Sequence, residues 1–293
     1  PGDLFVAIRG PRFDGHDFAA DAFAAGAAAA VVKRRPDAVS ADAPLLEVKD
    51  TTRALKDLGQ AARRRTGARI IAVTGSVGKT GTKEAIRFVL EEQGPIAASQ
   101  GNLNNHWGVP LSLSRMAADS TFGVFEIGMN HPGEIAPLSR MVGPDVAVIT
   151  NVEAVHGAHF ESVNDIAEAK AEIFQGMTGD GVAVLNRDNA QFNRLAAAAG
   201  EAGVNNVIAF GAHEEAQFRL MDVRTDCEGS DVKARIDGAE FQYRLGVPGH
   251  HWVMNSLAVL AAVGAAGQQD DIGGQGLDLG DIALGQAMGK GPR

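Results

Sequence analysis

The chain has 293 residues, of which 45% are hydrophobic and 22% charged. That is ordinary globular usage and excludes a fibrous or disordered protein. Lys plus Arg total 27 against 36 Asp plus Glu, a net charge of −9. Non-specific nucleic-acid binding is thereby excluded as the main activity, because neutralising phosphates needs a basic face. Cys227 is the only cysteine, so neither an intrachain disulfide nor a cysteine-built metal site is expected, and a reducing, cytoplasmic setting fits.

At roughly 150 residues per domain the length implies two domains. No run reads as a membrane span: the alanine-rich stretch 19–32 is too short and carries Asp21. No signal peptide is visible. Pro1 opens directly on a strand-like run and Arg293 follows Gly291-Pro292 with no closing element, so both ends read as cut from something longer.

Residues 4–8 read as a strand, 18–30 as a helix ending in small residues, and 45–48 as a second strand. A helix over 52–65 carries Leu55, Leu58 and Ala62 at helical spacing. Arg63, Arg64 and Arg65 close it, where cations suit the helix dipole. A domain boundary is expected near Thr66-Gly67. From there apolar strands at 70–74, 122–127, 146–150, 182–185 and 207–210 alternate with helices at 80–93, 131–142, 162–177 and 189–203. This alternation predicts an α/β domain with a mostly parallel sheet covered on both faces. Residues 218–245 alternate apolar and charged side chains about a turn at Asp237-Gly238, which predicts an added antiparallel hairpin. A last helix is expected over 252–266 and a glycine-rich loop over 268–281.

The sharpest signal is Gly75-Ser76-Val77-Gly78-Lys79-Thr80, set between a strand and a helix. Backbone N–H groups in such a loop, together with the helix N-terminus, bind phosphate. Lys79 would reach the terminal phosphates and the Thr80 hydroxyl would ligate Mg²⁺. Val73 stands where the strict G-x-x-x-x-G-K-[ST] pattern has its first glycine. The competing reading is a glycine-rich turn with a surface lysine.

Glu126, Asn151 and His156 fall at or just past the ends of other strands. Ligands of open α/β sheets bind outside the strands' carboxyl ends, so all three share an edge with the phosphate loop. A carboxylate and a neutral imidazole can ligate a nucleotide-bound metal, although a lone histidine is as readily a structural hydrogen-bonder. Lys170 lies four residues after Ile166 and three before Ile173, on the apolar face of its helix. Either its stem is buried and its head snorkels to water, or burial lowers its pKa and leaves a nucleophilic amine. Gly101-Asn102-Leu103-Asn104-Asn105 is a polar turn that binds substrate or merely turns. Asn130-His131-Pro132-Gly133-Glu134 is either a substrate segment or a helix cap. Asn255, at the start of the last helix, either reads a base amide or packs.

Together these segments resemble the Mur ligase family of peptidoglycan synthesis over nearly the whole chain. Residues 2–7 and 13–18 look like its UDP-sugar-binding domain. Residues 74–80 look like its shortened ATP loop, which accounts for the missing glycine. Residues 101–105, 108–111 and 126–135 resemble the branch that adds D-alanyl-D-alanine. The resemblance implies a partial UDP-sugar-binding domain over 1–67 and a central ATP-binding domain over 68–293. The family's Rossmann-like third domain has no counterpart here.

The resemblance further implies an ATP- and Mg²⁺-dependent amide ligase. Its partners would be UDP-N-acetylmuramoyl-tripeptide and D-alanyl-D-alanine, with no nucleic acid or membrane, and it would act as a monomer. Gly75, Ser76, Val77, Gly78, Lys79, Thr80, Gly81 and Asn255 would hold the nucleotide. Asn102, Asn104, Asn105, Asn130 and His131 would bind substrate. Thr80, Glu126, His156 and a carbamylated Lys170 would hold metal, with Lys79, Glu126, His156 and Lys170 serving catalysis. Two positions depart from the family pattern: Trp252 stands where many members have the first Asn of a His-Asn pair, and Gly81 replaces a Ser or Thr. Two other readings stay open. One is a phosphate-loop NTPase that hydrolyses without substrate. The other is a binding fragment that holds nucleotide and UDP-substrate and is inactive by itself.

Overall fold

The computed structural model describes residues 1–154 and 160–267. His156 and the loop expected over 268–281 lie outside the described residues. Three parallel strands, β1 (Leu4–Val6), β2 (Ala29–Val32) and β3 (Leu45–Glu47), form a small sheet in that order. Between the first two lies α1 (Ala19–Ala24). This helix is shorter than the expected 18–30. Gly26 turns the chain at a φ of 96°, and the alanines beyond it pair as a strand, so tertiary pairing overrides alanine's helical propensity. Then comes α2 (Thr51–Arg64), N-capped by Asp50, which accepts the Arg53 N–H at 3.0 Å.

The larger sheet and its helices follow in chain order: β4 (Arg69–Thr74), α3 (Lys79–Leu90), β5 (Ile96–Ala98), α4 (Gly108–Ser114), β6 (Phe122–Glu126), α5 (Ile135–Val142), β7 (Val146–Ile149), α6 (Val163–Ala171), β8 (Val182–Asn186), α7 (Phe192–Glu201), β9 (Asn206–Gly211), β10 (Phe218–Thr225), β11 (Ser230–Ile236), β12 (Ala239–Leu245) and α8 (His250–Gly267). The strands lie in the order β12-β11-β10-β9-β8-β7-β4-β6-β5. All pairings are parallel except β10 with β11 and β11 with β12.

Side chains alternate across a strand, and the two cores divide accordingly. Ile71 and Val73 of β4 pack with α3 and α8 on one face. Ile70 and Ala72 pack with α4, α5, α6 and α7 on the other. Arg63 donates to the carbonyls of Val142 and Gly143 at 2.8 and 3.2 Å, and Arg65 to that of Met116 at 2.7 Å. These arginines dock α2 onto the ends of α5 and α4, a use beyond their own helix dipole.

Three further differences from the sequence reading have plain causes. Strand β5 is three residues long and α4 carries Pro110 in its first turn, where proline is tolerated; neither gives a periodic signal. The expected hairpin is a three-strand meander. Its tight turn at Asp237 and Gly238 has φ of 46° and 89°, a two-residue turn with both centres left-handed. The helix expected to reach 177 stops at Ala171, and Glu172–Gly176 continues as a 3-10 turn. There Ser139 of α5 donates to the Ile173 carbonyl and Gly176 lies against the Ser139 backbone. No helix among the described residues is long and apolar enough to cross a membrane.

Candidate active site

The sheet reverses its direction of growth at β4, with β6 on one side and β7 on the other. That is where open α/β sheets open a crevice at the strands' carboxyl ends. The loop after β4 begins at Gly75, whose φ is 151°; a Cβ there would meet the Thr150 hydroxyl at 2.0 Å. Thr150 Oγ1 in turn donates to the Val77 carbonyl at 2.6 Å. Ser76 is tied to the end of β7: its N–H donates to the Asn151 carbonyl at 2.8 Å, and its Oγ accepts the Glu153 N–H at 2.9 Å. Gly78 caps α3 in the left-handed region, φ 84°, with the Asn255 amide 2.7 Å from where a Cβ would stand. The first N–H groups of α3 therefore face the loop, the arrangement that binds anions.

Lys79 Nζ folds back to the Gly75 carbonyl at 2.7 Å. Burial pushes its pKa down, and the Glu126 carboxylate opposes that shift. Glu126, 1% exposed at the end of β6, is the hub of the site. One of its oxygens accepts the Thr80 hydroxyl and the other accepts the Asn104 amide, each at 2.7 Å. Its own N–H donates to Ser99 Oγ at 3.0 Å. Lys170 is 2% exposed, which rules out the snorkelling reading. Burial, reinforced by the Lys79 charge, pushes its pKa down to about 7, so its amine is substantially neutral at physiological pH.

Two clefts flank the loop. One, of about 530 Å³, is lined by Val77, Gly78, Asn151, Asn189, His251 and Asn255. The other, of about 490 Å³, is lined by Lys79, Asn104, Asn105, Asn130, Glu134 and Met141. The structure thus gathers the phosphate loop, Asn255, Glu126, Asn104, Asn105 and Asn130 around one rim. Asn102 and His131 are exposed and do not line the second cleft. Asn105 also caps α4, accepting the Trp107 and Gly108 N–H groups. Gly81 lies against the Trp252 ring.

Sequence reasoning overlooked Lys83, Ser99, Thr150 and Asn189. Lys83 had a readable signal: it stands three residues before Ile86 and seven before Leu90, on the buried face of α3. Asn189 had none; its amide reaches Asn151 and the Val152 carbonyl only through the fold.

Residues 73–263 match the model of the Mur ligase middle domain, and residues 1–63 match that of the Mur ligase family, catalytic domain. The chain belongs to the Mur ligase family. Among curated relatives of this Mur ligase chain, the UDP-N-acetylmuramoyl-tripeptide–D-alanyl-D-alanine ligase of Rickettsia prowazekii is 34% identical over 99% of the chain and 64% of its own length. A crystal structure of MurF from Acinetobacter baumannii superposes with a TM-score of 0.81 at 32% identity, covering 90% of this chain and 56% of that one. MurF from Thermotoga maritima, solved in complex with ADP, gives 0.76 at 30% identity over 89% and 59%. The chain spans a little over half the length of the Mur ligases it matches in these structures.

Proposed function

We propose that this chain is the nucleotide- and precursor-holding part of an ATP-dependent amide ligase. The ligase joins D-alanyl-D-alanine to UDP-N-acetylmuramoyl-tripeptide in cytoplasmic peptidoglycan precursor synthesis and works as a monomer. Residues 1–67 hold the UDP-sugar and the remainder holds ATP. The relatives' shared name supports this reading, as does the ADP complex of the Thermotoga maritima structure. The observation that carries it is Glu126, which joins Thr80 of the phosphate loop to Asn104 of the second cleft. A transferred phosphoryl group must meet its acceptor at such a junction.

The terminal carboxylate of the tripeptide attacks the γ-phosphorus of ATP, and ADP leaves. A free carboxylate would have to expel oxide; the acyl phosphate expels phosphate instead. The amine of D-alanyl-D-alanine then attacks the carbonyl, forming the amide and releasing phosphate and a proton. Lys79 exchanges the Gly75 carbonyl for phosphate oxygens and neutralises charge on the transferring group. Gly75, Ser76, Val77, Gly78, Thr80 and Gly81 cradle the phosphates while Asn255 contacts the adenine. Asn104, Asn105 and Asn130 orient the peptide substrates from the second cleft, and the expected contributions of Asn102 and His131 lie outside it. No side chain acts as a nucleophile.

The donor set suits Mg²⁺ brought in with a nucleotide. Thr80 Oγ1 and the buried Glu126 carboxylate converge at 2.7 Å. No three His, Cys, Asp or Glu side chains cluster among the described residues, and Mg²⁺ of this kind takes its remaining oxygens from phosphates and water. Thr80 and Glu126 would hold one ion, His156 and carbamylated Lys170 a second. The ions supply charge neutralisation at the phosphoryl oxygens. Carbamylation needs a neutral amine to attack CO₂, and the lowered pKa of Lys170 provides one. The test is phosphate release by the intact protein, which is expected only with Mg²⁺ and both peptide substrates present. Release with ATP alone would make it an NTPase.

A further inference from the structure

Lys83 is 0% exposed, yet nothing in the proposed reaction uses it. Its Nζ meets three acceptors: the Ser99 carbonyl at 2.6 Å, the Gly101 carbonyl at 3.2 Å and Glu84 Oε1 at 2.7 Å. An ammonium has three protons, and each finds a partner. Burying such a group without partners is costly, so this placement constrains both sides of the contact. Glu84 is the next residue of the same helix. The two carbonyls belong to the segment that leaves β5 and runs into Asn102, Asn104 and Asn105.

The middle of that segment has little packing to hold it, although Leu103 lies against Gly108 and Asn104 against Gly128. Gly101 turns at a φ of 51°, with no atom within 4 Å of where a Cβ would stand. Asn102 and Asn105 are exposed. Polar contacts hold its course instead. Lys83 grips it at Ser99 and Gly101, Ser99 Oγ accepts the Glu126 N–H, and Asn104 donates to Glu126 Oε1. Meanwhile Lys79 and Thr80, on the turn of α3 before Lys83, face the phosphate loop and Glu126. One rigid helix therefore sets both the phosphate cradle and the asparagine-bearing wall of the second cleft.

We infer that Lys83 is a positioning residue that fixes the 99–105 segment, and through it Asn104 and Asn105, for the non-nucleotide substrates. This rests on the ligase reading for its kinetic consequence and on the geometry alone for its structural one. Lys83→Met keeps the apolar stem and removes all three donors. In the intact protein, KM for the UDP-tripeptide or for D-alanyl-D-alanine should rise about tenfold or more, as misplaced positioning groups generally cause. KM for ATP should stay within about twofold, and Lys83→Arg, which keeps charge and donors, should recover part of the loss. Independently of any turnover, amide exchange should quicken over residues 99–105 and stay unchanged over 75–80. Should the Met protein not fold, Lys83→Gln, with two donors on a shorter stem, takes the same two measurements. A variant that only melts earlier, with every KM and the 99–105 exchange unchanged, would overturn the inference and leave Lys83 a core lysine. A wild type without substrate-dependent phosphate release would defeat the ligase reading, and the exchange measurement would still decide the role of Lys83.

Discussion

Gly81 and Trp252 touch: a Cβ built on Gly81 would stand 2.8 Å from the tip of the Trp252 indole. Each is the third residue of its helix, α3 and α8. A glycine inside a helix forgoes about 0.5–1 kcal/mol relative to alanine, but a rigid ring gives way poorly, and overpacking costs about 1–3 kcal/mol. Gly81→Ser should therefore lower the melting temperature by a few degrees. In a Trp252→Asn background the same change should be neutral or stabilising, because the ring is gone. Thermal unfolding of the four proteins measures the coupling; strictly additive effects would contradict the pairing.

The junction at Glu126 predicts a separable loss of chemistry. Glu126→Gln keeps an amide oxygen and the volume, so the contacts to Thr80 and Asn104 need little rearrangement, but the charge is lost. Turnover should fall by about 10²–10³, the size seen when one electrostatic stabiliser is removed, while circular dichroism stays native. Nucleotide-dependent Mg²⁺ titration should show the weaker metal binding directly, as a higher Mg²⁺ requirement. Full activity at ordinary Mg²⁺ would remove Glu126 from the site.

Lys170 predicts a pH dependence with a defined sign. Its amine titrates near 10.5 when unfolded and near 7 when folded. Below pH 7 both states are protonated and the fold bears the whole burial penalty. Between pH 7 and 10.5 the unfolded chain binds the extra proton, so raising the pH stabilises the fold. In metal-free, CO₂-free buffer the stability of the wild type relative to Lys170→Met should climb across that window. A difference flat in pH would mean the amine is solvated. In ligation assays, Lys170→Ala should lose activity and regain part of it with a short added carboxylate.

Much of this is legible in the sequence itself. The loop at Gly75–Thr80 announces itself because phosphate binding needs glycines, a lysine and a helix start in one contiguous stretch. The buried strands announce themselves through continuous apolar runs, and Lys170 through helical spacing. What escaped depends on contacts far apart in the chain. Strand β5 is too short and alanine-rich to register, and α4 hides behind Pro110. Ser99 matters only because β5 lies beside β6, where its hydroxyl meets the Glu126 N–H. Ala29 and Ala30 close a run with the composition of a helix and form β2 because β1 and β3 flank them.

The most direct test of ligation through an acyl phosphate follows oxygen. With ¹⁸O in the terminal carboxylate of the UDP-tripeptide, the intact protein, ATP, Mg²⁺ and D-alanyl-D-alanine, each released phosphate should carry one ¹⁸O from that carboxylate, read by ³¹P NMR. Phosphate released without label, its new oxygen drawn from water, would contradict the account.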